Sequence, residues 1–264
     1  MRRIALTIEY DGTHYSGWQR QENALAVQEV VEKALSALTG ERIGLTGASR
    51  TDAGVHALGQ VAAFDTESRI PAEKFAFAAN TRLPWDVRVS ASWQAAEDFH
   101  PRFMARGKIY RYRMYDGPHA MALYRDRAAH SIYPLDEAAM ARCLAACVGE
   151  HDFAPFAASG SVVKDTVRTI YRAQLIRTGR FVDLFVYGNG FLYNMVRILA
   201  GTLMDVGGGK QSGDCIERAL STLSRLDLGV TAPACGLTLM RVLYDPDLPR
   251  ADELFDQCVS GVIA

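Results

Sequence analysis

Arg3-Ile4-Ala5-Leu6-Thr7-Ile8-Glu9-Tyr10, closed by Asp11-Gly12, is the stretch on which the fold turns. Ile4, Leu6 and Ile8 fall on one face at period two, the mark of a half-buried strand, and Asp11-Gly12 ends it. Val27, Val30, Val31, Ala34, Leu35 and Leu38 then recur at helical spacing. Asn23 is the expected cap, Glu29 and Lys33 an i,i+4 pair, and Gly40 the stop. Strands are expected around Val61–Ala63 and over Val87–Trp93, with a short helix from Pro71 to about Asn80 between them. The second half repeats this vocabulary. Helices are expected over Leu135–Val148, Phe191–Val206 (stopped by Gly207-Gly208-Gly209) and Asp214–Leu223. Strands are expected near Val167–Arg177, Phe181–Tyr187 and Gly236–Tyr244. Asp245-Pro246-Asp247-Leu248-Pro249 breaks the pattern, and the tail beyond it is expected to pack loosely. Strands and helices mix without strict alternation. This predicts an α+β fold of two similar subdomains, with largely antiparallel sheets flanked by helices. The expected division is 1–104, 105–250 and a tail over 251–264.

Composition narrows the class of function. The chain is 49% hydrophobic and 22% charged, ordinary for a soluble globular protein of 264 residues. No apolar run reaches membrane-spanning length, so no membrane partner is expected. The apolar part of the N-terminus is too short for a signal peptide and Glu9 interrupts it, which predicts a cytoplasmic protein. Five scattered cysteines form no zinc pattern, and they suit a reducing compartment. The histidines show no ligand spacing, so no metal is expected. Gly207-Gly208-Gly209-Lys210 lacks the spacing of a phosphate loop. The net charge of -1 gives no global case for a polyanionic partner, so any nucleic-acid site must be local.

Three segments carry chemistry. Gly47-Ala48-Ser49-Arg50-Thr51-Asp52-Ala53-Gly54-Val55-His56-Ala57 sets one carboxylate in a glycine-flanked loop, with a guanidinium and an imidazole nearby. That suits a nucleophile or an acid/base site, and it also suits an Asx turn. Tyr10 to Gln21 gathers three rings, His14 and Arg20, although Trp18 alone reads better as a core anchor. In Lys108-Ile109-Tyr110-Arg111-Tyr112-Arg113, alternation places Lys108, Tyr110 and Tyr112 on one face and Arg111 and Arg113 on the other. The segment fits a basic-aromatic nucleotide platform or a solvated edge strand. Arg197 lies on a largely apolar helix and must snorkel or pair with a carboxylate, for which Asp52 is the expected partner.

These motifs resemble the tRNA pseudouridine synthase A family. The matching stretches are Glu9-Tyr10-Asp11-Gly12, Gly17-Trp18-Gln19-Arg20-Gln21 and Arg50-Thr51-Asp52-Ala53-Gly54-Val55-His56. They continue through Asp98-Phe99-His100 with Arg102-Phe103, Tyr110-Arg111-Tyr112, Asn189-Gly190-Phe191 with Met195-Val196-Arg197, and Ala232-Pro233 with Gly236-Leu237. The resemblance implies isomerisation of uridine to pseudouridine at positions 38, 39 and 40 of the tRNA anticodon stem-loop. It implies Asp52 as the catalytic nucleophile, Tyr110 packed on the target base, and Arg50 holding the place of the flipped nucleotide. Arg197 would be the basic partner of the aspartate and Leu237 would line the pocket, the active-site cleft lying between the subdomains. It also implies a homodimer and no cofactor. Cys235 and Tyr193-Asn194 depart from the family's more usual polar and histidine residues.

The residue types suit such chemistry. A base within a stem must be flipped to be reached. A neighbouring Arg197 would keep Asp52 ionised despite burial. Phosphate contacts are expected from Arg20, Lys108 and Arg111, with His56 also near the substrate. Two other classes fit parts of the pattern: an RNA-binding module without catalysis, and a hydrolase using Asp52 and His56. Replacing Asp52 separates the first from the isomerase, and conservation of mass separates the second.

Overall fold

The structure, a computed structural model, describes residues 1–158 and 165–261. Along the chain come β1 (Arg2–Tyr10), α1 (Val27–Thr39), β2 (Thr46–Gly47), β3 (His56–Thr66), α2 (Phe75–Asn80) and β4 (Val87–Gln94). Then follow β5 (Gly107–Asp116), β6 (Ala129–Ser131), α3 (Glu137–Ala145), β7 (Gly149–Asp152), β8 (Val167–Thr178) and β9 (Phe181–Gly188). The chain continues with α4 (Met195–Gly207), α5 (Cys215–Thr222), β10 (Leu237–Leu243) and α6 (Ala251–Ser260). The class is α+β, as the patterning predicts.

Two compact units form. One holds Met1–Arg106 and Thr238–Leu248; the other holds Gly107–Leu237 and the chain from Pro249 onward. The last strand therefore joins the first unit, where the sequence division would have left it in the second.

In the first unit β1 is central, antiparallel to both β3 and β4. β2 pairs antiparallel with β3, and β10 runs parallel to β3 through Thr238 and Leu239. Ile4, Leu6 and Ile8 are wholly buried, as their alternation requires. Helix α1 starts at Val27 without a side-chain cap, so Asn23 is not its cap. The backbone of the preceding loop takes that role. Val27 N–H donates to Gly17 O (3.2 Å) and Gln28 N–H to Trp18 O (3.0 Å), satisfying the first helical amides. Gly40 ends the helix in the left-handed region at φ 75°, and Glu29 and Lys33 form the expected pair at 2.6 Å.

In the second unit β7, β8, β9 and β5 pair antiparallel in that order, and β6 joins β5 in parallel at residues 114–116. Register places Tyr110 opposite Val186, Tyr112 opposite Leu184, Arg111 opposite Phe185 and Arg113 opposite Asp183. Partners directly across share a face, so the two faces separate cleanly. One carries Tyr110 and Tyr112. The other carries Arg111, Phe185 and the forked ion pair of Arg113 with Asp183 at 2.7 and 2.6 Å.

Residues 251–261 do not hang loosely; they form α6 and its cap. Leu254, Phe255 and Cys258 are buried, the Phe255 ring meets Phe185 edge-on at 6.4 Å, and the Arg172 guanidinium lies 4.3 Å from the Phe255 ring centre. Arg172 also pairs with Asp252 and Asp256. The Pro-rich break only redirects the chain. Residues 262–264 of the expected tail lie outside the described residues. Among the described residues no helix is long and apolar enough to cross a membrane.

Phe255→Ala is expected to lower the unfolding free energy by about 3 kcal/mol, read from a urea melt. A loosely attached tail would leave the melt unchanged.

Candidate active site

The first unit builds the Asp52 loop from backbone contacts. Gly12 and Gly17 lie so close to residues 51–55 that a Cβ on Gly12 would collide with Val55 O, and one on Gly17 (φ 87°) with Thr51 O. Trp18 N–H donates to Thr51 O at 3.1 Å and Gly54 N–H to Tyr15 O at 3.3 Å. Tyr10 Oη and Thr51 Oγ1 bond at 2.7 Å, beside a stack of the Tyr10 and Trp18 rings. Gly54 turns the chain at φ 77°, and Val55 N–H closes the turn on Asp52 O at 3.1 Å. Asp52 is thus half-buried on a loop fixed on both sides, and Trp18 is the core anchor the sequence suggests.

Three further first-unit residues of the sequence reading can be placed. Arg50 is exposed two residues before Asp52. His56 is only 5% exposed. Its Nδ1 lies 3.1 Å from Gly12 N and 3.0 Å from Asp11 Oδ1. The ring ties the 11–12 turn to β3, which makes it a brace of the loop. Arg20 reaches Glu32 at 3.5 Å from an exposed position. Glu32, 7% exposed, also accepts from Gln28 Nε2 and Leu45 N–H at 2.9 Å each.

The second unit builds a separate constellation on the Tyr110 face of its sheet. Tyr110 is 8% exposed and meets Phe191 edge-on at 5.1 Å. Tyr112 Oη donates to Pro233 O at 2.8 Å, and burial pushes this phenol's pKa well up. Gly236 packs against the Tyr112 ring, where a Cβ would come within 2.6 Å. Arg197 is held from two directions: Nε donates to Ala232 O at 2.9 Å and Nη1 to Asn194 Oδ1 at 2.7 Å. Asn194 sits in the left-handed region at φ 62°, so α4 starts at Met195 and not at the expected Phe191. Asn tolerates that conformation, and this tolerance is the sequence signal that suits it to a positioning role. Leu237, 7% exposed, opens β10. Lys108 lies on the Tyr110 face by alternation.

Arg111 does not. It points to the α6 face, where burial, then Arg113, lowers its guanidinium pKa; Asp183 and Cys258 oppose that drop. It is therefore no partner of Tyr110 for a shared ligand. Among the described residues no cluster of metal-ligating side chains occurs.

The glycine contacts generate a prediction. Gly17→Ala forces a Cβ into Thr51 O from a left-handed backbone, and should cost at least ~1–2 kcal/mol. A thermal melt that does not shift would contradict the packing described.

Comparison with known proteins gives a consistent result. A family model for tRNA pseudouridine synthase matches residues 6–104 and 144–245. The tRNA pseudouridine synthase A of Ruminiclostridium cellulolyticum is 51% identical over 92% of this chain and 100% of its own length. Those of Acetivibrio thermocellus and Pelobacter propionicus are 49% and 47% identical, each over 92% of this chain and 100% of their own lengths. With a loop built around Asp52 and a matched family spanning both units, the chain belongs to the tRNA pseudouridine synthase A family.

Proposed function

We propose that the protein isomerises uridines 38, 39 and 40 in the anticodon stem-loop of tRNA, with Asp52 as the nucleophile. The observation that carries this is the Asp52 loop, clamped by Gly12 and Gly17 and followed by the buried brace His56. A carboxylate held that firmly needs no reorganisation when charge develops at the sugar.

The reaction breaks the N1–C1′ bond and joins C1′ to C5 of the same uracil. The C5 proton is lost, N1 ends protonated, and mass is conserved. Asp52 can attack C1′, add to uracil C6, or draw a sugar proton on a glycal route; each begins from the carboxylate anion. Tyr110, with its ring held by Phe191, stacks on the detached base and stops its escape. Arg197, oriented by Asn194 and Ala232, is the basic group that keeps the aspartate ionised. Leu237 supplies an apolar wall. The target base must leave the stem, and Arg50, exposed beside Asp52, stabilises the extruded state by its charge on an adjoining phosphate.

Arg20, Arg50 and Lys108 are the phosphate contacts in this reading; Arg111 is not, because it faces α6. No cofactor takes part, since nothing is oxidised or hydrolysed. The protein works as a cytoplasmic homodimer, so that one tRNA draws on two basic surfaces despite the net charge of -1.

Mapping pseudouridine along a tRNA after incubation with the protein tests the reading. Modification confined to 38–40 is expected, and modification elsewhere alone would contradict it. Binding should also weaken with salt, with a log–log slope of roughly -2 to -3 for three neutralised phosphates. A flat response would remove the phosphate contacts.

A further inference from the structure

Within the first unit a surface pocket of about 270 Å³ opens beside Arg50. Trp18, Leu45 and Gly47 are among its lining residues, with Arg50, His100, Arg102 and Phe103. Its chemistry differs from the Asp52 loop. Phe103 is 73% exposed, an unusual position for a phenylalanine with no packing duty. Its ring is nonetheless oriented: the His100 imidazole lies 4.2 Å away at 32°, and the Arg102 guanidinium sits 5.8 Å from its centre.

The turn that presents these groups is built, not slack. His100 Nδ1 accepts from both Arg102 N–H and Phe103 N–H at 3.2 Å. That leaves Nδ1 without a proton and Nε2 as a donor. Tyr244 Oη donates to Pro101 O at 2.9 Å, Arg3 Nη1 donates to Phe99 O at 3.1 Å, and the Phe99 and Tyr244 rings pack at 5.2 Å. Among the described residues no carboxylate lines the pocket. Within the unit Arg3 and Arg106 each pair with an acid, whereas Arg42, Arg69 and Arg82, among the described residues, do not. Among the described residues Arg50 and Arg102 form no such pair.

Two unneutralised guanidinium groups, an imidazole donor and one open aromatic face match a single nucleotide: stacking for the base, charge for the phosphate. We propose that this pocket binds one unpaired nucleotide of the RNA substrate, its base stacked on Phe103 and its phosphate held by Arg50 and Arg102. Because Arg50 lies two residues from Asp52, the nucleotide bound here is a near neighbour of the target uridine. The proposal rests on the tRNA reading above and adds a site that fixes the register of the strand.

The test is equilibrium binding of fluorescently labelled tRNA by wild type, Phe103→Leu, Phe103→Tyr and Arg102→Gln, with circular dichroism melts as the folding control. Phe103→Leu keeps an apolar side chain but loses the ring, and should weaken binding about tenfold. Phe103→Tyr should restore it, which a merely structural role for the position would not require. Arg102→Gln should make the salt slope shallower by about one. Phe103→Leu binding within twofold of wild type, or an unchanged slope for Arg102→Gln, would overturn the proposal while leaving the isomerase reading intact. A wild-type protein that does not bind tRNA would overturn both.

Discussion

Backbone packed on backbone is the constraint from which the active loop follows. Residues 11–18 and 51–55 approach more closely than any Cβ permits, and only Gly12 and Gly17 allow it. That contact puts Trp18 N–H on Thr51 O and Gly54 N–H on Tyr15 O, and so fixes the residues on either side of Asp52. The same loop then gives the carbonyls of Gly17 and Trp18 to the first amides of α1. One close approach therefore sets the Asp52 carboxylate and starts α1. Preorganisation of this kind places the cost of ordering in folding and not in the reaction.

The second unit solves a different problem, that of holding an arginine on an apolar helix. Arg197 is satisfied by neighbours that cannot retreat: the carbonyl of Ala232, itself bound through Ala232 N–H to Arg197 O at 3.1 Å, and the amide of a left-handed Asn194. The 232–236 segment is in turn locked to the sheet through Tyr112 and Gly236. Charge is sorted by face. Arg113 neutralises Asp183 on the side covered by α6, while the Tyr110 face sets aromatic rings beside Lys108.

Periodicity made the strands and most helices legible, because the large apolar residues that β1 and α1 bury recur at a fixed period. Helix starts were less so. The cap of α1 comes from carbonyls several residues upstream, an arrangement that no local preference for Asn23 could reveal. The loose tail was expected for a related reason: the prolines before it suggest a stop where the chain merely turns, and the burial of Leu254, Phe255 and Cys258 holds it in place. Of the expected site residues, Asp52, Arg50, Tyr110 and Arg197 stood out through motif resemblance more than through physics. Strict alternation already set Arg111 apart from Tyr110, and the register confirms it. His56 was expected near the substrate, but nothing in its sequence neighbourhood shows that Gly12 and Asp11 close over it.

In the function proposed above, the carboxylate fixed by Gly12 and Gly17 performs the chemistry at the uridine. The direct measurement is release of tritium from tRNA carrying it at uridine C5, for wild type beside Asp52→Asn, a change that preserves shape and removes the negative charge. Release by wild type, with a fall of several orders of magnitude in the variant at unchanged tRNA affinity, is the result predicted here. Equal release by both, or none by either on a tRNA with uridines at 38–40, would contradict it.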